Sequence, residues 1–484
     1  MMRCLSRRRA FVLLFSSFLM LLLWIGYQRT HISGKREFVR GMARDAWRQY
    51  YQDALGFDYL APISRKGVNH ASVSLHYTLI DSLSTLHLLD LHDEFQQATA
   101  LVANDSFFLS FTMTGSINIF ETIIRSLGGL ISAYDLSGLA IFKKRAVYLA
   151  DLLLPAFDTP HKLPLAYMDL EDPSRRDPHE NNTNLAMVGS NILEFSRLSE
   201  ITGDVKYRET AEACLRAIRQ IPSKINGLYP AFISVDRGNG TESVYTVGAL
   251  SDSFYEYLLK ASFMPQSDSV PLEMWIQARA SILEHLVHRD PRSRVFVSAR
   301  HGTADRFEKT MSHLACFVGG LFVLDSIRPD TSITQRDRDA SLVFAEELTS
   351  TCVHMYTDQV MGLAPEVVLM GPHGRLVPET GSEGYGQRPE VVESLFYLWR
   401  RTGKTKYREQ AWSIAQAIHR HSRCSDRGGF CGLKSVHAPS SFADMQDSYF
   451  IAETLKYLYL IYADDVLPLE KWVLNTEAHP LKIS

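Results

Sequence analysis

The chain has 484 residues, of which 46% are hydrophobic and 22% charged, and it contains 28 Gly and 19 Pro. These values are typical of a globular protein and exclude disordered, collagen-like and coiled-coil classes. The 51 Lys and Arg residues nearly balance the 54 Asp and Glu residues, which gives a net charge of −3. Because no basic stretch runs through the body of the chain, we expect no nucleic-acid partner.

An apolar run near the N-terminus predicts a membrane anchor. It extends from Ala10 to Tyr27, contains no charged residue and follows four arginines within residues 3–9. Its length suits a membrane-spanning helix, and the arginines favour a cytosolic N-terminus. The predicted organisation is a cytosolic tail (1–9), a transmembrane signal anchor (10–27), a short luminal stem (28–37) and a luminal body (38–484). A cleaved signal peptide is the alternative for the apolar run.

Cysteines and glycosylation sequons agree with a luminal body. Five cysteines lie beyond the anchor, at positions 214, 316, 352, 424 and 431, and their spacings do not form a CxxC metal site. An oxidising compartment allows one or two disulfides among them. Asn104, Asn181 and Asn239 each begin an Asn-x-Ser/Thr sequon. Together with the anchor, these features predict a glycoprotein of the secretory pathway.

Helical periodicity dominates the body of the chain. Apolar residues recur at intervals of three and four, which indicates amphipathic helices. Clear examples are Thr122–Ala133, Arg145–Leu154, Ile192–Glu200, Ala411–Arg420 and Ala452–Tyr462. Few segments alternate in the manner of strands, and no Pro/Ser/Gly-rich linker divides the chain. The pattern predicts one large all-α domain.

An internal repeat predicts how these helices are arranged. Thr202–Ala211 reads TGDVKYRETA and Thr402–Ala411 reads TGKTKYREQA, and Ser137–Ala146 is a looser copy. Each copy places a Gly turn before a helix whose first turn carries an aromatic residue and then an alanine four residues later, for which we predict core packing. If one hairpin takes roughly 60 residues, the body holds about seven, enough to close into an α/α toroid.

Two polar clusters on predicted helices are candidates for chemistry. Glu121 and Arg125 are four residues apart with apolar neighbours on both sides, which favours a general acid over a surface ion pair. Asp252 and Glu256 share a helix face among aromatic residues. Carboxylates at this spacing repel each other unless a sugar hydroxyl, a water or a cation binds them. An N-cap role for Asp252 is the alternative.

A duplicated Pro-Glu-Val-Val sequence contains Glu366 and Glu390, each directly after a proline. Proline at a first helical position would put each glutamate in the first turn, where the helix dipole favours the ionised form that a general base needs. Ordinary helix-start charge is the alternative for either copy alone. Because Glu393 follows Glu390 by one turn, three carboxylates near a helix start favour a functional site.

The last polar cluster is Asn475–Pro480, near the C-terminus. A hard cation such as Ca²⁺ could bind the Thr476 hydroxyl and backbone carbonyl oxygens there. Across the chain, paired carboxylates, an aromatic content of 11% and the lack of Ser/His/Asp, Walker or GxGxxG motifs favour glycoside hydrolysis over phosphoryl or hydride transfer.

These clusters, in this order, resemble the class I α-mannosidases, glycoside hydrolase family 47. The resemblance extends from about Phe38 to Leu481. The motifs that carry it include Phe120–Arg125, Leu127–Tyr134, Leu154–Pro160, Asp252–Lys260, His313–Phe317, Arg388–Glu390, Ala452–Tyr457 and Asn475–Pro480. The resemblance implies an (α/α)7 barrel that removes α1,2-linked mannose from high-mannose N-glycans with inversion, using one Ca²⁺ at the barrel floor.

The resemblance also implies a role for individual residues. Glu121 would be the general acid, acting through water, Glu390 the base, and Asp252 and Glu366 the other catalytic carboxylates. Inversion would separate the acid and base carboxyls by about 6.5 to 9.5 Å. Thr476 would be the sole direct protein ligand of Ca²⁺. The implied substrate-binding residues are Arg125, Glu194, Glu256, His313, Arg388, Glu393 and Glu453, and the implied disulfide joins Cys316 to Cys352.

Two positions bear on specificity and activity. The family's Asp-x-Leu-Asp-Thr segment has Ser84 in place of its second acid, which removes one acid from the polar network and could lower turnover. Leu250 resembles the Golgi subgroup, so we expect trimming of several mannoses and residence in the Golgi membrane, with the endoplasmic reticulum membrane as the alternative. The alternative functions are a degradation-pathway mannosidase-like protein that acts on misfolded glycoproteins and, because of Ser84, a catalytically impaired glycan-binding homologue.

Overall fold

The computed structural model describes residues 32–69, 73–109, 115–173, 182–265, 268–302, 308–328, 333–371 and 374–483. The predicted anchor at 10–27 and the sequon at Asn181 lie outside these ranges. Among the residues inside them, no helix combines the length and the apolar character needed to cross a membrane.

Helices make up most of the regular structure in the described residues. The α-helices are α1 (32–53), α2 (Tyr77–Leu88), α3 (His92–Ala103), α4 (Asp105–Phe108), α5 (Ile119–Glu121), α6 (Gly128–Ser137), α7 (Ala140–Leu153), α8 (Leu185–Gly189), α9 (Ile192–Thr202), α10 (Lys206–Arg219), α11 (Asp252–Ala261), α12 (Val270–His285), α13 (Phe317–Ile327), α14 (Gln335–Thr357), α15 (Glu390–Thr402), α16 (Lys406–His421) and α17 (Lys456–Leu460). Two π-helical segments, Thr122–Leu127 and Phe450–Leu455, run directly into α6 and α17. Short 3-10 segments cover Leu154–Phe157 and Leu314–Cys316.

The helices form an inner ring and an outer layer. In the described part of the chain, α2, α6, α9, α11, α13, α15 and α17 each contact the next in that order, and the π-helical segment before α17 contacts α2 and closes the ring. The outer helices α3, α7, α10, α12, α14 and α16 each follow an inner helix and pack against it. The prediction of an α/α barrel built from helical hairpins is therefore confirmed.

Glycine turns join inner to outer helices at one end of the barrel. Gly138, Gly203 and Gly403 have φ of 71°, 77° and 63°, the left-handed conformation that ends a helix with little steric cost only in glycine. The predicted core packing of the repeat is confirmed, because Tyr207 and Tyr407 are buried. Each tyrosine hydroxyl donates to a carboxylate on the preceding outer helix, Asp151 or Glu346, at 2.8 Å.

Short strands occupy the opposite end, where the inner helices begin, and the sequence did not predict them. The strands are β1 (Tyr59–Ala61), β2 (Lys66–Val68), β3 (Ser116–Asn118), β4 (Tyr167–Asp169), β5 (Asn182–Asn184), β6 (Phe232–Ser234), β7 (Asn239–Gly240), β8 (Val244–Tyr245), β9 (Val287–Arg289), β10 (Val295–Val297), β11 (Arg300–His301), β12 (Thr310–Ser312), β13 (Val367–Met370), β14 (Leu376–Pro378), β15 (Gly432–Leu433), β16 (Phe442–Ala443), β17 (Trp472–Leu474) and β18 (Pro480–Lys482). All pair antiparallel, in the orders β1-β2, β3-β4, β5-β6-β7, β8-β11, β9-β10, β12-β13-β14, β15-β16 and β17-β18. The all-α prediction is thus incomplete.

The C-terminal hairpin β17-β18 enters the barrel. Strand β18 packs against α6 and α9, and Asn475 in the turn donates to the Ile124 carbonyl at 2.8 Å. Asn475, Glu477 and His479 are buried. The hairpin therefore forms the floor of the space that the inner helices enclose.

Two disulfides brace the barrel. Cys316 and Cys352 link the start of α13 to α14 with a Cα–Cα distance of 5.9 Å, which confirms the predicted pair. Cys424 and Cys431 form a second bridge that closes the loop after α16. Cys214 is a buried free thiol.

Candidate active site

A cavity of about 400 Å³ opens at the strand-rich end of the barrel. The predicted site residues in its wall are Glu121, Arg125, Asp252, Glu256, Arg388, Glu390, Glu393, Glu453 and Thr476. The remaining three, Glu194, His313 and Glu366, contact groups of this wall or floor. The barrel therefore brings together residues that lie up to 355 positions apart in the sequence, from Glu121 to Thr476.

The first part of the wall is the start of the α6 region. The Asn118 side chain caps this helical start by accepting from the Glu121 amide at 2.9 Å. Arg125 Nε donates to Glu121 Oε2 at 2.7 Å, and its Nη1 donates to Glu477 Oε2 at 2.8 Å. The ion pair considered from the sequence therefore forms, but it is not on the surface, because Arg125 is only 8% exposed. The guanidinium instead fixes two carboxylates at the edge of the cavity.

Asp252 is the first residue of α11, and its N-cap residue is Ser251. Among the described residues the Asp252 carboxylate accepts a hydrogen bond from the adjacent Ser253 amide alone, at 2.9 Å, so the alternative of an N-cap role is wrong. Burial, together with the negative charges of Glu256 and Glu390, raises the pKa of Asp252 to about 7. At neutral pH this carboxyl can both donate and accept hydrogen bonds.

Glu390 begins α15, as the sequence predicts, with Pro389 as its N-cap. His313 Nδ1 lies 2.6 Å from Glu390 Oε2, and the Tyr356 hydroxyl lies 2.9 Å from the other ring nitrogen of His313. Burial alone would raise the pKa of Glu390, but the hydrogen bond and charge of His313 and the charge of Arg388 outweigh it and lower that pKa. An ionised carboxylate is what a general base requires.

Glu366 does not begin a helix, which corrects the prediction from the duplicated sequence. It precedes strand β13, and its Oε2 accepts from Arg388 Nε at 2.5 Å. Its other oxygen lies against the backbone at Gly386, where an added Cβ would stand 2.3 Å from it. Because Gly386 has no side chain, Glu366 can reach Arg388. Arg388 lies two residues before Glu390 in the sequence.

Acidic side chains crowd the floor of the cavity. Tyr257 and Asn475 donate to Glu194 Oε1 at 2.7 and 2.8 Å, and burial still raises the pKa of Glu194 to about 7. Burial also raises the pKa of Glu393 to about 8, although the ammonium group of Lys260 lies 3.9 Å away. The pKa of Glu453 lies well above its ordinary value because of burial and of neighbouring carboxylates, Glu477 first among them.

Several lining side chains have no role predicted from the sequence, among them Tyr449 and, inside the predicted Asn475–Pro480 cluster, Glu477. The Tyr449 ring lies between two arginines, with the guanidinium carbons of Arg125 and Arg388 at 5.8 and 6.0 Å from its centroid. Its hydroxyl donates to the Gly386 carbonyl at 2.5 Å. The signal that could have found Tyr449 is its spacing of four residues before Glu453.

Ser84 takes part in a hydrogen-bonded network behind the floor. Lys456 Nζ donates to Ser84 Oγ at 2.9 Å and to the Ala478 carbonyl at 2.7 Å. Ser84 Oγ lies 3.1 Å from His479 Nδ1, and His479 Nε2 lies 2.9 Å from Asp81 Oδ1. The loss of an acid at this position therefore leaves Lys456 and His479 hydrogen-bonded.

Comparison with known proteins identifies this arrangement. The model of glycosyl hydrolase family 47 matches residues 42–483. The chain belongs to glycosyl hydrolase family 47. It is 38% identical over 465 residues to mannosyl-oligosaccharide 1,2-alpha-mannosidase IB of Mus musculus, covering 93% of this chain and 70% of that protein. It is 36% identical over 471 residues to the endoplasmic reticulum mannosyl-oligosaccharide 1,2-alpha-mannosidase of Homo sapiens, covering 94% of this chain and 64% of that protein.

A solved family structure has the same architecture. The alpha-1,2-mannosidase from Trichoderma reesei superposes with a TM-score of 0.83 at 28% identity, covering 93% of this chain and 99% of that one. The resemblance predicted from the motifs is therefore confirmed, as is the assignment of this family 47 chain to the glycoside hydrolases.

Proposed function

We propose that this family 47 protein is a Ca²⁺-dependent, inverting exo-α1,2-mannosidase that trims high-mannose N-glycans during glycoprotein maturation. The observation that supports this most is the convergence of Glu121, Asp252 and Glu390 on one cavity, in a chain whose relatives are named for this activity. High-mannose glycans on glycoproteins are thus the proposed partners.

The wall residues have the chemistry that inversion needs. Glu390, kept ionised by His313 and Arg388, accepts a proton from the water that attacks the anomeric carbon. Glu121, held by Arg125, supplies a proton through a water to the departing oxygen. Asp252, with a pKa of about 7, hydrogen-bonds hydroxyls of the bound sugar or the reacting waters. Glu366 orients Arg388 beside Glu390.

The floor fits a hard cation. Thr476 lines the cavity, and hydroxyl and carbonyl oxygens, both of which this residue carries, are donors that suit Ca²⁺. In this proposal Thr476 is the sole direct protein ligand, and waters and sugar hydroxyls occupy the other positions. Glu194 Oε2 is buried without a hydrogen-bond partner among the described residues, so it could hold such a water. When bound, Ca²⁺ would supply positive charge that orients sugar hydroxyls.

The compartment is part of the proposal. A type II orientation in the Golgi membrane, with the endoplasmic reticulum as the alternative, is supported by the two disulfides and by the sequons at Asn104 and Asn239, whose asparagines are exposed. Residues 10–27 would form the anchor. Helix α1, which contacts Tyr459 of α17 through Arg40, would complete the seventh hairpin of an (α/α)7 barrel.

Product analysis with a nine-mannose N-glycan tests the proposal. We expect a soluble fragment beginning at residue 28 to release several mannoses, and a calcium chelator to abolish the release. Glu121→Gln should lower kcat by at least about 100-fold, because it removes an acid from the transition state. Glu200→Gln is the matched control, since Glu200 also pairs with an arginine, Arg197, but lies outside the cavity.

Other results would each point elsewhere. Full activity of Glu121→Gln would refute its role as the acid. Release of a single mannose would contradict the Golgi-type specificity. Glycan binding without any mannose release by the wild-type fragment would favour the impaired glycan-binding homologue.

A further inference from the structure

The second disulfide encloses a short loop beside the catalytic segment, by which we mean residues 384–390 with Arg388 and Glu390. Cys424 and Cys431 join the ends of this disulfide loop, which follows α16 and leads into strand β15. None of the loop residues 424–431 lines the active-site cavity. The loop can therefore affect the reaction only through the residues that it touches.

The chain that leaves the disulfide loop pairs with the catalytic segment. Tyr385 and Leu433 exchange two backbone hydrogen bonds, both of 2.9 Å, as an antiparallel bridge. The approach is close, because a Cβ added at Gly432 would stand 2.8 Å from the Tyr385 carbonyl oxygen. Leu433 follows Cys431 by only two residues, so the disulfide limits how far this pairing can shift.

The chain that enters the disulfide loop contacts the same segment through Ser422. The Ser422 hydroxyl donates to the Cys431 carbonyl at 2.6 Å, and the Ser422 carbonyl accepts from the Cys431 amide at 2.7 Å. Because its proton is used for Cys431, the hydroxyl oxygen accepts from the side-chain amide of Gln387, whose Nε2 lies 3.5 Å away. Both ends of the disulfide loop are thus linked to the catalytic segment, one at Tyr385 and the other at Gln387.

The backbone of Gln387 is strained and therefore needs support. Its φ is 62°, a left-handed conformation that costs free energy in a residue with a Cβ and persists only where the surroundings hold it. Gln387 is fully buried, and the Thr454 hydroxyl donates to its carbonyl at 2.6 Å. The next residue, Arg388, donates to Glu366 at 2.5 Å. The position of Arg388 therefore depends on what holds the turn at Gln387.

We propose that the Cys424–Cys431 disulfide positions the catalytic segment: by bracing the turn at Gln387, it fixes Arg388 and the start of α15 at Glu390. The inference rests on the proposed function, in which Glu390 is the base. Without the disulfide, the turn relaxes from its left-handed conformation and Arg388 moves away from Glu366 and Glu390. The walls formed by α11 and the α6 region belong to other hairpins, so sugar binding there continues.

The pH profile reports on such a movement. Burial would raise the pKa of Glu390, but His313 and the charge of Arg388 lower it. When Arg388 moves away, that pKa rises, and the base is ionised only at higher pH. A displaced catalytic segment therefore lowers kcat and also moves the acidic limb of kcat/KM upward, whereas a general loss of stability does not move the limb.

The test compares variants of the full-length protein in detergent on the nine-mannose N-glycan over a range of pH. Cys424→Ser/Cys431→Ser should lower kcat about tenfold with little change in KM, since a misplacement of roughly 1 Å can cost up to about a hundredfold. Its acidic limb should move to higher pH. Ser422→Ala, which keeps the disulfide and removes its link to Gln387, should cause smaller changes in the same directions. Unfolding curves identify a temperature at which each variant is folded, and rates are compared there.

The matched control is Arg427→Ala. Arg427 belongs to the disulfide loop but pairs with Asp53 of α1, at 2.9 Å, so its loss should change neither kcat nor the acidic limb. Wild-type values in the folded cysteine variant would overturn the inference and leave the mannosidase proposal intact; if that variant does not fold, the same result in Ser422→Ala does so. A lower kcat with an unmoved limb, or equal effects of Arg427→Ala and Ser422→Ala, would also overturn it. Failure of the wild type to release mannose would refute the proposed function, and this inference with it.

Discussion

We expect the hydrogen bond between His313 and Glu390 to determine where the acidic limb of the pH–activity profile lies. If Glu390 is the base, activity falls as pH drops through its pKa. His313→Phe removes a group that lowers the pKa of Glu390, so the effect of burial makes that pKa rise. The acidic limb of the kcat/KM profile should then move to higher pH. Tyr356→Phe is the control, because it removes only the hydroxyl at the other ring nitrogen of His313 and should move the limb less. An unmoved limb in His313→Phe would exclude Glu390 as the base.

Site residues could be predicted from the sequence where two polar side chains lie three or four positions apart on one helix. Glu121 with Arg125, Asp252 with Glu256 and Glu390 with Glu393 each occupy one helix face, and the barrel brings all three pairs to one cavity. Tyr449 was missed because its hydroxyl contacts Gly386, 63 residues away, and no local pattern encodes that contact.

Removal of the Tyr449 hydroxyl in Tyr449→Phe should lower kcat about two- to tenfold by freeing the Gly386–Arg388 segment, while KM changes little. A higher KM with an unchanged kcat would show that the hydroxyl binds sugar instead.

At the scale of elements, the Gly turns should contribute to stability through backbone conformation alone. Gly403→Ala places a Cβ at φ of 63° and should lower the free energy of unfolding by about 1 kcal/mol, although nothing lies near the new atom. Gly41→Ala in α1 also meets no neighbour, but there the helical backbone should gain about 0.5–1 kcal/mol. Thermal or urea unfolding of the two variants measures the difference. Equal effects of the two substitutions would mean that the left-handed turn carries no such role.

The elements divide into those that the sequence could and could not predict. The hairpins were predictable because the Gly turn and the aromatic and alanine pair recur at Tyr207 and Tyr407 with the same contacts. The strands were not, because each has only two to four residues, too few for an alternating pattern. The same limit explains why the sequence placed Glu366 wrongly at a helix start. Its Pro-Glu-Val-Val sequence is identical to that at Glu390. Pairing of β13 with β12 and β14 makes the copy at Glu366 lead into a strand, whereas the copy at Glu390 begins a helix.

At the scale of the whole molecule, the near-neutral total charge conceals a strongly acidic interior. The barrel concentrates carboxyls with raised pKa at one end: about 7 for Asp252 and Glu194, about 8 for Glu393, and well above ordinary values for Glu453 and Glu477. Burial is the first cause in each case. The same groups have ordinary pKa values near 4 in the unfolded chain, so folding and proton binding are linked.

This linkage predicts that the metal-free protein loses stability as pH rises from about 6.5 to 8.5. Until pH passes the folded pKa values, the folded state holds protons that the unfolded state has released, so a rise in pH favours unfolding, and each group's contribution levels off above its own folded pKa. Lys456, whose pKa burial lowers to about 7, acts in the opposite sense, but it is one group against five. Added Ca²⁺ should raise the unfolding temperature more at pH 8.5 than at 6.5, because the ion binds the folded state and favours ionised carboxyls. Thermal scans with chelator and with Ca²⁺ at both pH values measure this, and a chelated protein that becomes more stable toward pH 8.5 would contradict the acidic interior. Asp252→Asn, which removes one of the five groups, should reduce the loss.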